Sequence, residues 1–222
     1  QEGNPITIVG GRDAVIQSNS PLVEITHSWI TLQGFSVDGR QRSADSRDSF
    51  VNKCIQVLGP GVNESGAIEG FVMEDMLVQN CGEECVRLKN FVVNSTIIDN
   101  TIQHCGVYDF EYPIATSGKT GEGVYIGTSW KQWEDYGEDR CNDNWVSGNT
   151  IATFGNECVE VKEGSSGNVI ENNVCSNQLD LESGCFCSRG DNNTFRFNNI
   201  SDCEGSGIRL GGWQGYGHDN DV

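Results

Sequence analysis

The chain has 222 residues and a net charge of −18, because 32 Asp and Glu residues oppose only 14 Lys and Arg residues. A surface this acidic excludes nucleic acid as a partner, since phosphate binding needs a basic face. No apolar run is long enough to cross a bilayer, so no membrane span is predicted. The length suits one domain, residues 1–222, which we expect to be part of a longer chain or capped by another element.

Short apolar strands recur along the chain in two phrases, after a first strand PITIVGG that begins at Pro5. They are too short and too rich in β-branched residues for helices. One phrase appears as ECVRLKN from Glu84, EGVYIGT from Glu122, ECVEVKE from Glu157, GCFCSRG from Gly184 and SGIRLGG from Ser206. The other appears as STIIDNTI from Ser95, NWVSGNTI from Asn144, NVIENNVC from Asn168 and NTFRFNNI from Asn193.

The phrases return at a fixed period. Asn149, Asn173 and Asn198 are 24 and 25 residues apart, and Asn100 lies 49 residues before Asn149, about twice that unit. Such a period is typical of a solenoid, in which each repeat buries its apolar face by stacking on its neighbours. We therefore predict an all-β fold, a single-stranded right-handed parallel β-helix of about seven or eight coils with long loop insertions. The alternative is a β-sandwich with Asn-rich turns, which would not keep a fixed period.

Side-chain direction follows from the same pattern. Val159 and Val161 are predicted to point into the core, whereas Glu160 and Lys162 alternate with them and point outward. Asparagine at a repeated corner tolerates a left-handed bend, and its amide can bond to the amide one coil above. A ladder of stacked asparagines is therefore expected.

Cysteines and glycosylation sequons indicate an oxidising, extracellular or cell-wall location. The sequons lie at Asn63, Asn94, Asn192 and Asn199. Stacked residues about 4.8 Å apart are within disulfide reach, so we expect structural disulfides between cysteines at shared repeat positions. The ten cysteines assigned to disulfides are Cys54, Cys81, Cys85, Cys105, Cys141, Cys158, Cys175, Cys185, Cys187 and Cys203.

Several segments break the period, and such loops on a rigid solenoid often carry binding sites. Residues 39–49 and 59–66 are predicted loops, and larger irregular segments, 107–121 and 130–142, flank the EGVYIGT strand. Aromatic rings in an exposed loop suit stacking on sugar faces. The alternative is that the rings fold back over a strand edge. The aromatic residues considered for glycan binding are Trp130, Trp133, Tyr136, Trp213 and Tyr216.

Aligning the ECVEVKE-type phrases places Glu84, Glu122 and Glu157 in one column. Unscreened carboxylates about 4.8 Å apart repel by roughly 3.5 kcal/mol at an effective dielectric near 20. Raised pKa values, an intervening arginine or a bound hard cation such as Ca²⁺ would relieve this repulsion. The same strands project Lys162, Arg189 and, at related outward positions, Arg87 and Arg209; the alternative is a solvated charged face.

Residues 121–212 resemble the β-helix polysaccharide lyases that include chondroitinase B and the related alginate lyases. ECVEVKEGSSGN is similar to that family's E-x-(I/V)-x-x-K-S-S strand, and CFCSRGDNN lies where the family has Arg-His-Gly. GEGVYIGTS resembles the family's G-x-E-x-I-R-I-G strand. The resemblance implies a pectate-lyase-like fold, a uronate-containing extracellular polysaccharide as substrate, and Ca²⁺.

The resemblance also implies roles for single residues. It places Lys162 on the catalytic lysine base, Arg189 on the catalytic histidine, with Ser188 on the arginine, and Glu157 on a calcium-ligand glutamate. Tyr125 stands where the family has an arginine, Lys119 falls where an asparagine ligand of calcium would lie, and Gly155 replaces a second glutamate. We thus predict Ca²⁺ at Glu122 and Glu157, and substrate contacts from Tyr125 and Arg209.

The neighbours of Lys162 in the sequence also determine the direction in which its pKa should shift. The adjacent Glu160 and Glu163 should raise the pKa of Lys162, whereas a base at neutral pH needs a lowered value. A hydrolase that pairs Glu157 with Glu122 or Glu160 is therefore a second enzymatic hypothesis. Two non-enzymatic hypotheses stand beside them: a glycan-binding module, and a structural element that stacks end to end with itself or with another β-solenoid segment.

Overall fold

A computed structural model describes residues 4–17, 22–41, 46–61, 66–114, 119–213 and 215–222, with residues 135 and 136 described only in their backbone. The predictions at Asn63 and at the Tyr136 side chain lie outside this description. No helix in the described ranges is long and apolar enough to cross a membrane.

The described residues form seven coils, in agreement with the predicted number. Coils 1 and 2 hold β1 (Ile6–Val9), β2 (Val15–Ile16), β3 (Val23–Ile25), β4 (Ile30–Gln33), β5 (Ser36–Asp38) and β6 (Ile55–Leu58). Coils 3 and 4 hold β7 (Ile68–Glu69), β8 (Val72–Glu74), β9 (Leu77–Gln79), β10 (Val86–Lys89), β11 (Val92–Val93), β12 (Thr96–Ile98), β13 (Thr101–Gln103) and β14 (Val124–Ile126). Coils 5 to 7 hold β15 (Trp145–Ser147), β16 (Thr150–Ala152), β17 (Val159–Val161), β18 (Val169–Glu171), β19 (Val174–Ser176), β20 (Gly184–Ser188), β21 (Thr194–Arg196), β22 (Asn199–Ile200) and β23 (Ser206–Leu210).

Helical structure is confined to the insertions. Helix α1 (Val107–Phe110) and helix α2 (Trp133–Tyr136) each span four residues, and 3-10 turns occupy Arg47–Ser49 and Trp130–Gln132. Each of the two insertions that flank the EGVYIGT strand therefore contains a short helical segment within its described residues.

Each coil gives one strand to each of three seven-stranded sheets. Sheet A runs β1-β4-β8-β12-β15-β18-β21, sheet B runs β2-β5-β9-β13-β16-β19-β22, and sheet C runs β3-β6-β10-β14-β17-β20-β23. The β7 and β11 strands form a small fourth sheet, and the paired strands of all four sheets are parallel. The predicted right-handed parallel β-helix is confirmed.

The core is one column of apolar side chains between the three sheets. Val159 and Val161 are fully buried in it, as predicted, and Phe71, Phe186 and Phe195 are among its largest members. Alternation along each short strand gives the column its inward residues, and stacking the coils makes it continuous.

Two asparagine ladders hold the corners. In the predicted ladder, Asn100 Nδ2 donates to Asn149 Oδ1 at 2.9 Å, Asn149 to Asn173 at 2.9 Å, and Asn173 to Asn198 at 3.1 Å. A second ladder joins Asn144 to Asn168 and Asn168 to Asn193, each at 3.0 Å, and ends where Asn193 N donates to Asn220 Oδ1.

The left-handed bend lies one residue earlier than predicted. Gly148 (φ 68°), Asn172 (φ 55°) and Phe197 (φ 57°) have positive φ directly before Asn149, Asn173 and Asn198. The ladder asparagine itself supplies the amide bond, while its predecessor turns the chain. A phenylalanine in this conformation at 197 carries a backbone cost of about 1 kcal/mol.

Four disulfides join neighbouring coils: Cys54–Cys81, Cys85–Cys105, Cys158–Cys175 and Cys185–Cys203. Each connects a cysteine at or just before the start of a sheet C strand with one that lies in a sheet B strand of the next coil or within three residues after it, so the partners occupy different repeat positions, not the shared ones we expected. The linked residues are 17 to 27 positions apart, a loop length for which a disulfide contributes about 3 kcal/mol.

The disulfide prediction is wrong for Cys141 and Cys187, which are buried free thiols. Cys187 is aligned in sheet C with Glu160 on one side and Arg209 on the other, so no cysteine stacks on it. Cys141 Sγ accepts a hydrogen bond from Val92 N at 3.4 Å and contacts Asp139 in place of a second sulfur.

We expect a thiol reagent to count two thiols per unfolded chain without reductant, and none in the folded protein. Burial blocks access and raises the pKa of both thiols, to about 12 for Cys187. Absorbance titration with a chromogenic disulfide, with and without denaturant, measures this. A count of zero in denaturant would mean that the two cysteines are bridged.

Candidate active site on the outer face of sheet C

The predicted glutamate column exists. Val86 pairs with Val124 and Val124 with Val159, which aligns the residues two positions earlier, Glu84, Glu122 and Glu157. Backbone bonds continue this alignment, from Cys85 N to Glu122 O at 3.0 Å and from Gly123 N to Glu157 O at 2.8 Å. All three glutamates are buried.

A second row lies beside this column on the outer face of the sheet. The strand register places Arg87 next to Tyr125, Tyr125 next to Glu160, Glu160 next to Cys187, and Cys187 next to Arg209. Lys162 comes directly after β17 and Arg189 directly after β20, and the pairing of Val161 with Ser188 makes these two cations neighbours across the coils. Residues distant along the chain thus become neighbours because the coils are in register.

Glu160 and Lys162 point away from the core, as predicted, but they are not solvent-exposed. Lys162 Nζ forms an ion pair with Glu160 Oε2, and Arg189 Nε lies 2.9 Å from Glu160 Oε1. Arg189 also approaches Glu163 at 3.9 Å. Glu160 is 1% and Lys162 6% exposed, so this is a buried ion-pair cluster and not a solvated charged face.

The cluster drives the pKa values of its members in opposite directions. Burial alone would lower the pKa of Lys162, but the Glu160 carboxylate outweighs it and raises that pKa, as expected from the sequence. Burial opposes ionisation of Glu160, yet Lys162 and Arg189 hold its pKa below the usual range. Burial and the Glu160 charge raise the pKa of Glu122 well above its usual value and that of Glu157 to about 7.

These shifts predict how stability depends on pH. Because the pKa of Glu157 is raised on folding, its contribution is present below about pH 4.3 and is lost as pH rises to about 7, on the order of 3 kcal/mol. The lowered pKa of Glu160 acts in a different window, since its contribution is present above about pH 4.3 and is lost as pH falls below it.

Glu157→Gln should therefore flatten the fall in unfolding free energy between about pH 4.3 and pH 7. Urea unfolding at several pH values measures this, and Glu171→Gln is the control because its carboxyl is paired with Arg196 on the outer face of sheet A. An unchanged slope in Glu157→Gln would contradict the account.

Tyr125 lies between two cations. Its ring centroid is 5.1 Å from Arg87 Cζ and 4.6 Å from Lys162 Nζ, and the residue is 6% exposed. Its electron-rich face stabilises both charges. The structure thus gives Tyr125 a definite role in positioning Lys162, while its predicted contact with substrate stays a prediction.

The aromatic residues of the insertions pair with each other. Trp130 stacks on Trp213 with centroids 5.1 Å apart and planes 10° from parallel, and Trp133 meets Tyr216 edge-on at 5.4 Å. In each pair, one ring lies in the segment after β14 and the other in the segment after β23. The two contacts therefore bridge the coils between these segments. Trp213 is 52% exposed and remains open to a ligand.

Asp139 anchors the 130–142 insertion and was missed from the sequence. Its carboxylate accepts hydrogen bonds from Asn90 N, Phe91 N and Thr128 Oγ1 at 2.8, 2.8 and 2.6 Å. Nothing distinguishes this aspartate among the acids of WKQWEDYGEDRCN. Two of its three partners, Asn90 and Phe91, lie 49 and 48 residues earlier in the sequence.

Two further residues of this face had no sequence signal. Ser183 Oγ donates to Glu157 Oε1. Lys89 is buried and its Nζ donates to Gln132 Oε1 at 3.3 Å, and burial, followed by the charge of Arg87, lowers its pKa to about 8. A lysine that acts as a base near neutral pH needs a lowered pKa, and Lys89 has one whereas Lys162 does not.

The remaining predicted residues lie at the margins. Arg209 is exposed and donates to Glu182 O at 2.8 Å. The sequon asparagines Asn94, Asn192 and Asn199 are exposed and accessible to a glycan. Ser188, predicted on the family's arginine, is buried and donates to Asn220 Oδ1 at 3.0 Å.

The predicted calcium site remains a prediction, and its donor set is small. Glu122 Oε2 accepts a hydrogen bond from Gly121 N, while Glu157 Oε2 has no partner. Lys119 Nζ is 2.6 Å from Asp180 Oδ1 and also pairs with Glu182. Ca²⁺ takes six to eight oxygens, and two carboxylates with Gly155 and Lys119 at the other positions fit it poorly.

Comparison with solved structures agrees with the fold. The chain is similar to an alginate lyase from Paenibacillus sp. str. FPU-7, with a TM-score of 0.69 and 20% identity over 89% of this chain and 61% of that chain. A GH136 lacto-N-biosidase from Eubacterium ramulus gives a TM-score of 0.37 and 9% identity over 97% and 44% of the two chains. No family model matches the chain. No curated protein matches it.

The first of these likenesses shows that the two chains share the parallel β-helix fold. The chain spans 61% of the length of the alginate lyase that it resembles.

Proposed function

We propose that this chain binds a uronate-containing extracellular polysaccharide on the outer face of sheet C and cleaves it by β-elimination. The observation that carries the proposal is the convergence of Lys162 and Arg189, from neighbouring coils, on the single carboxylate of Glu160. A sugar carboxylate presents the same two oxygens to the same pair of cations. Arg189, with a side chain 27% exposed, is the group through which a ligand would enter.

In this reaction a base removes the proton α to the uronate carboxylate. The electron pair forms a C=C bond, the glycosidic C–O bond breaks, and the departing oxygen takes a proton. Lys162 and Arg189 neutralise the carboxylate and make the α proton more acidic. The raised pKa of Lys162 suits this binding role and does not suit proton abstraction near neutral pH.

The disulfides and the exposed sequons fit a secreted, glycosylated protein. The overall charge of −18 would repel a polyuronide, so the proposal depends on local attraction of the sugar carboxylate by Lys162 and Arg189.

The test is ultraviolet detection of unsaturated uronates across alginate, glycosaminoglycans and pectin. Arg189→Gln and Lys162→Met should raise KM, because each removes a cation that binds the sugar carboxylate. Arg196→Gln is the matched control, since Arg196 pairs with Glu171 on sheet A. Absence of product from every polyuronide would remove the elimination mechanism.

A noncatalytic glycan-binding module is the second candidate, favoured by the open Trp213 ring stacked on Trp130. It predicts glycan binding that survives Lys162→Met and is lost in Trp213→Ala. Isothermal titration with oligosaccharides would distinguish the two candidates.

A further inference from the structure

We propose that Glu157, Glu160 and Cys187 bind one divalent cation of the borderline-soft class, of which Zn²⁺ is the usual biological member. The three side chains come from adjacent coils, and strand pairing places Glu160 directly beside Cys187. One carboxylate oxygen of each glutamate and the Cys187 sulfur lie within 4.8 Å of one another. Ligands at about 2.0–2.3 Å from one ion are brought together from that separation by small side-chain rotations.

Unsatisfied oxygens point independently to a ligand. Glu157 Oε2 and Glu160 Oε1 are buried and accept no hydrogen bond, although both residues are 1% exposed. Arg189 Nε approaches Glu160 Oε1 at 2.9 Å as an ion pair without the alignment of a hydrogen bond. Buried carboxylate oxygens are costly unless they are bonded or coordinated, so Glu157 Oε2 needs a partner, while Glu160 Oε1 has only the ion pair with Arg189.

The charge balance points the same way. Lys162 and Arg189 both pair with Glu160, whereas the ion pairs of the described residues give Glu157 no cationic partner and its one hydrogen bond comes from Ser183. A divalent cation between Glu157 and Glu160 would supply that partner while Lys162 keeps the second oxygen of Glu160, and it would share Glu160 Oε1 with Arg189.

The sulfur selects the class of cation. Hard cations such as Ca²⁺ take oxygen ligands, whereas a thiolate beside carboxylates suits Zn²⁺ and Co²⁺. The proposed site therefore differs in donors and in metal from the calcium predicted at Glu122 and Glu157. Another cysteine group within the described residues, Cys158, Cys175 and Cys185, is consumed by disulfides and offers no thiolate.

Titrating the full chain with Co²⁺ tests the proposal. We expect one equivalent to bind with a thiolate-to-cobalt charge-transfer band that Zn²⁺ abolishes and excess Ca²⁺ does not. Cys187→Ser should remove the band and weaken Zn²⁺ binding by at least about tenfold. Cys141→Ser, which removes the other buried thiol, should keep both.

Three results would overturn the proposal: no band in the wild type, a band that persists in Cys187→Ser, or displacement of Co²⁺ by Ca²⁺. Circular dichroism checks that the variants are folded. If Cys187→Ser does not fold, Glu157→Gln decides, because it should lose Zn²⁺ affinity, and unchanged affinity would sink the site. Metal binding is measured without any polysaccharide, so its failure and that of the elimination assay are separate results.

Discussion

Glu160→Gln should destabilise the protein by about 3–5 kcal/mol, because it leaves the buried Lys162 and the partly buried Arg189 without their shared counter-ion. Glutamine keeps the shape of the side chain, so the loss measures charge and not a cavity. Urea unfolding at neutral pH gives the free energy.

The matched control is Asp75→Asn, which removes the carboxylate of an ion pair whose side chains are 45% and 61% exposed. Exposed pairs contribute about 0–1 kcal/mol, so this variant should be nearly neutral. The double variant Glu160→Gln/Lys162→Met should recover part of the loss, since it removes an unpaired charge. Equal effects of Glu160→Gln and Asp75→Asn would contradict a buried cluster.

Asn149→Ala should cost about 3–5 kcal/mol, because it interrupts an asparagine ladder inside the stack. Asn149 Oδ1 accepts hydrogen bonds from Asn100 N and Asn100 Nδ2, both at 2.9 Å. Asn149 Nδ2 donates to Ile97 O and to Asn173 Oδ1, also at 2.9 Å. Alanine leaves several of these buried groups unpaired.

Asn199→Ala is the control for the ladder, since Asn199 is exposed in β22 and should change stability by less than about 0.5 kcal/mol. Both variants can be compared by their urea midpoints. A loss below about 1 kcal/mol in Asn149→Ala would show that the stack does not depend on the ladder.

The fold could be predicted because similar short strands recur in the sequence at a fixed period. The spacing of Asn100, Asn149, Asn173 and Asn198 sets the coil length, and the pattern around Val159 and Val161 sets the inward face. The glutamate column followed from the same alignment, since a constant register turns a sequence period into vertical neighbours.

The parts that could not be predicted depend on contacts between unlike positions. The disulfides link two different corners of adjacent coils, which a period alone does not relate. Asp139 binds backbone groups of Asn90 and Phe91, about 50 residues earlier, and nothing in its own segment marks it. Burial of Lys162 and Glu160 depends on the side chains of neighbouring coils. The alternation of apolar and charged residues therefore predicted that both side chains point away from the core, but not that they are buried.

Two cavities at the ends of the stack bear on the assembly hypothesis. One of about 540 Å³ is lined by Ile6, Ile8 and Ile30, and one of about 380 Å³ by Phe195, Ile208 and Val222. At the first cavity β1 is the edge strand of sheet A and can pair with another strand, whereas at the second cavity Thr194 already pairs with Asp221. End-to-end stacking stays a prediction that sedimentation of the purified chain would test.

A crystal structure with a bound oligouronate tests the central claim most directly. We predict that a sugar carboxylate lies within hydrogen-bond distance of the Arg189 guanidinium, with the chain of sugars crossing the outer face of sheet C. An oligosaccharide bound along sheet A or sheet B, with Arg189 still paired only to Glu160 and Glu163, would contradict it.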